Sequence, residues 1–162
     1  MTQPHRLFVE TTFHPAFRYG GWGLAREIDG VVTGQAGGER NTTPARIDLM
    51  AVISALQGLP AGPVALQSAS AGILAVSRVL ASPPRADAAP SEDIDLWAQA
   101  LKAVEGRALT VKAGAKGPNT PAAFLGAWAE VGQDKAKGVG RFSAAIPKPN
   151  LAKLVLPQTP LA

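Results

Sequence analysis

The sequence predicts an α/β domain: a five-stranded mixed sheet, an antiparallel meander followed by parallel strands, flanked by helices. Three observations predict it. Three β-prone runs follow one another through short turns near the N-terminus. Helical and extended patterns then alternate along the chain, in the order βββ-α-β-α-α-β-α. Hydrophobic residues make up 46% of the 162 residues and charged residues 17%, enough apolar side chain for a real core.

Each element has a local cause. Residues 6–12 (RLFVETT) form a β-branched and aromatic run that His14 and Pro15 interrupt. Residues 20–28 (GGWGLAREI) are a second strand, and Asp29-Gly30 supplies a type I′ turn into a third, residues 31–36. Thr43 caps the clearest helix and Pro44 opens it. Ile47, Met50, Val52, Ile53 and Leu56 supply its apolar positions, and Gly58 and Pro60 stop it. A short strand, 64–68, precedes a helix over 71–80. Residues 81–90 (ASPPRADAAP) read as a linker. A helix over 93–104 carries Ile94, Trp97 and Leu101, a strand covers 109–112, and a final helix spans 122–131 with Phe124, Leu125 and Trp128. Residues 1–131 form the domain; 132–162 are expected to be an extended, basic, Pro-containing tail.

Composition excludes several chemistries. Cysteine is absent, which removes disulfides and thiolates. Only His5 and His14 offer imidazole, so a His/Cys zinc site is excluded. No run approaches 18 apolar residues and no signal-peptide pattern opens the chain, so the expectation is a cytoplasmic protein without a membrane partner. The net charge is +4, and the five Lys and Arg of residues 133–162 against Asp134 alone place that excess in the tail. Two readings stand for it: a solvated tail, or a polyanion contact.

Six segments in order resemble the ribonuclease H family. LFVETT (7–12) matches a first strand ending in T-D-G, and YGGWG (19–23) a P-G-G-x-G turn. NTTPARIDLMAVISAL (41–56) is similar to the helix start T-N-N-R-M-E-L-M-A, and VALQSASAG (64–72) to a strand ending in T-D-S. DIDLW (93–97) resembles N-x-D-L-W, and TVKAGAKGPNTP (110–121) the loop V-K-G-H-x-G-x-x-x-N. The resemblance covers about residues 6–131. It implies a fold whose members cut the RNA strand of an RNA–DNA hybrid with two Mg2+ ions about 4 Å apart. Hard cations that close together need several carboxylates.

At the matched positions this chain departs five times. Glu10 replaces the first-strand Asp, and Asp48 the helix Glu. Ala69 stands in place of the fourth-strand Asp and Gly114 in place of the loop His. Residues 112–129 contain no Asp or Glu for the last helix. Glu10 and Asp48 are thus the metal candidates, for one Mg2+ at most; the plainer reading makes Glu10 a partly exposed strand residue and Asp48 a first-turn acid at a helix dipole. Asn41, Thr43, Arg46, Lys112 and Lys116 are the candidates for holding nucleic acid. The family's basic handle would fall on 81–93, acidic and Pro-rich here. His14 reads as a loop residue rather than a general base. Ser68 and Ser70 lack a nearby base, and GAKGPNT lacks the G-K-[ST] of a P-loop.

Three functions follow from the resemblance and the tail. The first is a catalytically eroded protein that binds nucleic acid, an RNA/DNA hybrid or a single strand, without efficient cleavage. The second is an active metal-dependent hybrid ribonuclease using Glu10 and Asp48. The third is an assembly subunit whose tail docks a protein partner through Leu151, Leu154, Val155 and Leu156.

Overall fold

The computed structural model describes residues 3–82 and 92–157; most of the expected linker lies outside the described residues. One six-stranded sheet runs through the molecule in the order β5-β4-β1-β2-β3-β6. Strands β1 (His5–His14), β2 (Tyr19–Ile28) and β3 (Val31–Glu39) form the antiparallel meander. The turn between β2 and β3 uses Asp29 and Gly30 at φ 52° and 79°, the positive pair a type I′ turn requires. Helix α1 (Pro44–Leu56) leads to β4 (Val64–Ser68), which lies parallel to β1. Helices α2 (Ala71–Ala81) and α3 (Ile94–Val104) then precede β5 (Leu109–Ala113), parallel to β4.

The expected sheet is corrected in one respect: it has a sixth strand. Helix α4 runs Pro121–Val139, so the boundary expected at 131/132 falls inside it. Residues of the expected tail then form β6 (Phe142–Ala145), antiparallel to β3, and a single turn, α5 (Lys148–Leu151).

Alternation along β1 creates two cores. Leu7 and Val9 face one side with Trp22 and Leu24 of β2, and α1, α2 and α3 cover them through Ile47, Leu49, Ile73 and Leu96. Phe8 faces the other side with Ala25, Ala36, Leu125 of α4 and Ile146. Trp97 packs at the margin of the first core and Trp128 at that of the second. Leu151, Leu154 and Leu156 also pack on the second core. Three of the four expected partner anchors therefore cover the chain's own sheet, and only Val155 is well exposed. The Arg6 guanidinium, paired with Glu27 at 2.7 Å, donates to the Pro157 carbonyl and ties the far end across the sheet.

Helix α4 lies unusually close to that sheet. A Cβ on Gly21 would run into the Ala129 carbonyl oxygen, and one on Gly132 into that of Gly37. Bare glycine on both surfaces lets backbone approach backbone, and Ala129 and Ala136 of the helix are fully buried at the contact.

Candidate active site

The matched positions meet at the carboxyl ends of the parallel strands β1 and β4, where α/β sheets place their sites. Glu10 lies two residues beyond the parallel pairing, opposite Gly23 of β2, on the α4 face. The chain leaves β4 at Ser68 and turns into α2. That turn aims the Ala69 N–H at Glu10 Oε2 (2.9 Å), and the Ser68 hydroxyl donates to the same oxygen (3.3 Å). Ser68 Oγ in turn accepts from the Ser70 N–H (3.0 Å), and Ser70 caps α2. Both hydroxyls thus have structural partners.

Glu10 is 7% exposed, which corrects the plainer reading of a partly exposed strand residue. Burial raises its pKa above the ordinary value, opposed by the Ala69 N–H, the Ser68 hydroxyl and the charge of Lys116. Asp48 lies beyond the first turn of α1, so the dipole reading is corrected too. Thr11 Oγ1 donates to its Oδ1 (2.7 Å), and the carboxylate lies over Gly72 so closely that a Cβ there would strike Oδ2. Burial raises its pKa as well, against the Thr11 hydroxyl.

A cavity of about 390 Å³ opens at this point, lined by Glu10, Thr11, Ala69, Lys116, Ala122 and Ala123 among others. The structure therefore joins Glu10, Ala69 and Lys116 in one place, with Asp48 attached through Thr11. The start of α4 presents alanines to it. Gly114 follows β5, its N–H donating to the Ser68 carbonyl at 2.7 Å. A Cβ on Gly114 would sit 2.9 Å from Gln67 Nε2, so an imidazole there requires Gln67 to move.

The donor set does not fit a two-magnesium centre. Each of the two carboxylates accepts from protein donors through one oxygen, no carboxylate but Glu10 lines the cavity among the described residues, and Lys116 contributes an ammonium group. Among the described residues no three His, Cys, Asp or Glu side chains gather as a metal-holding group.

Of the remaining nucleic-acid candidates, Asn41, Thr43 and Arg46 sit together at the start of α1 and Lys112 sits on β5. Lys112 is exposed on β5, in register with Gln67. Asn41 is exposed at φ 52° before α1, and Thr43 is the helix cap, accepting from the Arg46 N–H. The Arg46 guanidinium is held by Glu39, Asp93 and Asp95 at 3.3–3.4 Å. Thr11 and Gln67 were missed in the sequence; no local pattern marks them, since their partners are 37 and 47 residues away.

The architecture is similar to several solved structures. LC9-RNase H1, a type 1 RNase H with the type 2 active-site motif, is 16% identical with a TM-score of 0.62, over 94% of this chain and 81% of that one. LC11-RNase H1, solved in complex with RNA/DNA hybrid, is 15% identical with a TM-score of 0.61, over 83% and 99%. The N-terminal RNase H domain of rv2228c from Mycobacterium tuberculosis is 15% identical with a TM-score of 0.55, over 83% and 98%. No protein-family model and no curated protein matches the chain. The fold is ribonuclease H-like, as the six segments implied; at these identities the likeness establishes fold alone.

Proposed function

We propose that this ribonuclease H-like chain binds nucleic acid, an RNA/DNA hybrid or a single strand, without cleaving it efficiently. One observation carries the reading. Where several carboxylates would be needed to neutralise two cations, Glu10 is closed into hydrogen bonds beside Ala69, with Lys116 opposite. The scaffold and its positive charge support binding, and LC11-RNase H1, of the same fold, was solved holding a hybrid. The metal-dependent alternative would have to work through Glu10 Oε1, since the Ala69 N–H and the Ser68 hydroxyl both occupy Oε2. The tail-docked alternative has lost Leu151, Leu154 and Leu156 to the second core. No helix among the described residues is long and apolar enough to cross a membrane.

The test is a labelled RNA/DNA hybrid titrated with protein, followed by gel analysis of the same samples in millimolar Mg2+ or Mn2+. Saturable binding with an intact RNA strand is expected. Cleavage that disappears in Glu10→Gln would replace this reading with the metal-dependent one.

A further inference from the structure

The tip of the β1–β2 hairpin carries a second feature, away from the cavity. The rings of His14, Phe17 and Tyr19 gather with centroids 5.1 to 6.1 Å apart and planes inclined by only 11° to 33°. Tyr19 is buried at 8% exposure and supports the group from below, whereas Phe17 is 69% exposed. Near-parallel, offset rings are a favourable aromatic arrangement, and here they fix the orientation of a ring whose outer surface faces solvent.

The backbone holds that ring in place. Arg18 adopts φ 54°, a left-handed conformation uncommon for a long side chain, and its N–H donates to the His14 carbonyl at 2.8 Å. The Arg18 carbonyl accepts from the Thr42 N–H at 3.0 Å, so the tip is joined to the loop that carries Arg40 and Asn41. Arg18 and Arg40 are exposed, and among the described residues neither has an ion pair. The neighbouring acid, Glu39, is already engaged by Arg46 and Arg141. An open aromatic surface next to the Arg18 guanidinium, with Arg40 on the adjoining loop and its guanidinium near Gly140, is complementary to a base on its sugar-phosphate chain.

We propose that this hairpin is a stacking site for an unpaired nucleobase, with Phe17 offering the ring and Arg18 and Arg40 the phosphate contacts. The inference rests on the nucleic-acid-binding reading above and adds its substrate class: single-stranded nucleic acid, or the single-stranded flank of a hybrid. A fully paired duplex presents its base faces only at its ends.

The experiment compares three labelled probes by fluorescence anisotropy on the full chain: a blunt hybrid, the same hybrid with a four-nucleotide single-stranded overhang, and the free single strand. The overhang is expected to tighten binding about 5-fold or more, the effect of one stacked base. Phe17→Ala and Phe17→Leu should each erase that gain and leave the blunt hybrid's affinity unchanged, whereas Phe17→Tyr should keep it. Phe17 is exposed, so these variants are expected to fold, and circular dichroism checks it. Equal binding of blunt and overhang probes overturns the stacking site alone. So does an overhang gain that survives in Phe17→Ala, or one that Phe17→Leu retains, which would mean a simple apolar contact. Binding to none of the three probes overturns this site and the broader reading together.

Discussion

The cavity at Glu10 and the hairpin at Phe17 are built in opposite ways. At the cavity, buried polar groups satisfy one another: Glu10 takes two donors, Asp48 takes Thr11, and Ser68 links Glu10 to the start of α2. At the hairpin, a ring and two arginines are turned outward with few partners inside the chain. The contrast teaches where an outside ligand gains most. In the cavity one oxygen of each carboxylate is already taken by the fold itself, while the ring at the hairpin meets only water.

This contrast is broken most severely by removing the floor beneath both regions. Gly132→Val drives a side chain into the Gly37 carbonyl, and a loss of about 3 kcal/mol in denaturant unfolding is expected. Ile146→Ala opens the second core beneath the expected tail and should cost about 2 to 3 kcal/mol. A neutral result there would mean that residues after Gly140 add nothing to the domain.

Smaller changes sharpen the comparison. Thr11→Val keeps the shape but strips Asp48 of its donor, for an expected cost of about 1 to 3 kcal/mol at neutral pH. Since that bond opposes the rise that burial imposes on the Asp48 pKa by favouring the charged form, the cost should shrink in acid. Glu10→Gln tests the sign at its neighbour. Burial raises the folded pKa of Glu10, so its proton-linked stabilisation is complete below the unfolded pKa and is lost as pH rises through the folded one. The variant should therefore gain on the wild type between acid and neutral pH, read by thermal unfolding at several pH values. A constant difference would show that burial does not dominate. The smallest expected effect lies at the tip: Phe17→Ala should change stability by no more than about 0.5 kcal/mol while removing the preference for an overhang.

Much of the fold was legible because its signals are local. Thr43 before Pro44, the Asp29-Gly30 turn and the glycine after α1 act within a few residues, and the elements stand where those residues place them. The second half of α4 and β6 were not legible. After Val131 the helix continues through Gly132, a poor helix former, because close packing on Gly37 and Gly38 of β3 compensates for it. Phe142–Ala145 becomes a strand only because the edge of β3 is there to pair with it.

The site divides along the same line. Glu10, Asp48, Ala69 and Gly114 were singled out as residue types at matched positions, and three of these four positions surround or adjoin the cavity. Charge roles were less legible. The partners of the Arg46 guanidinium, Asp93 and Asp95, lie 47 and 49 residues away and could not be read from its neighbourhood in the sequence. Lys116 lines the cavity of Glu10, a neighbour 106 residues away that its own segment does not reveal. Residue order thus decides which side chains exist, where helices begin and where turns fall, since caps, prolines and glycines act over one turn of backbone. Which carboxylate loses its water, which arginine is neutralised and which ring stays open depend on neighbours brought in from distant segments. Desolvation and charge pairing are properties of that packing, so only the tertiary structure decides them.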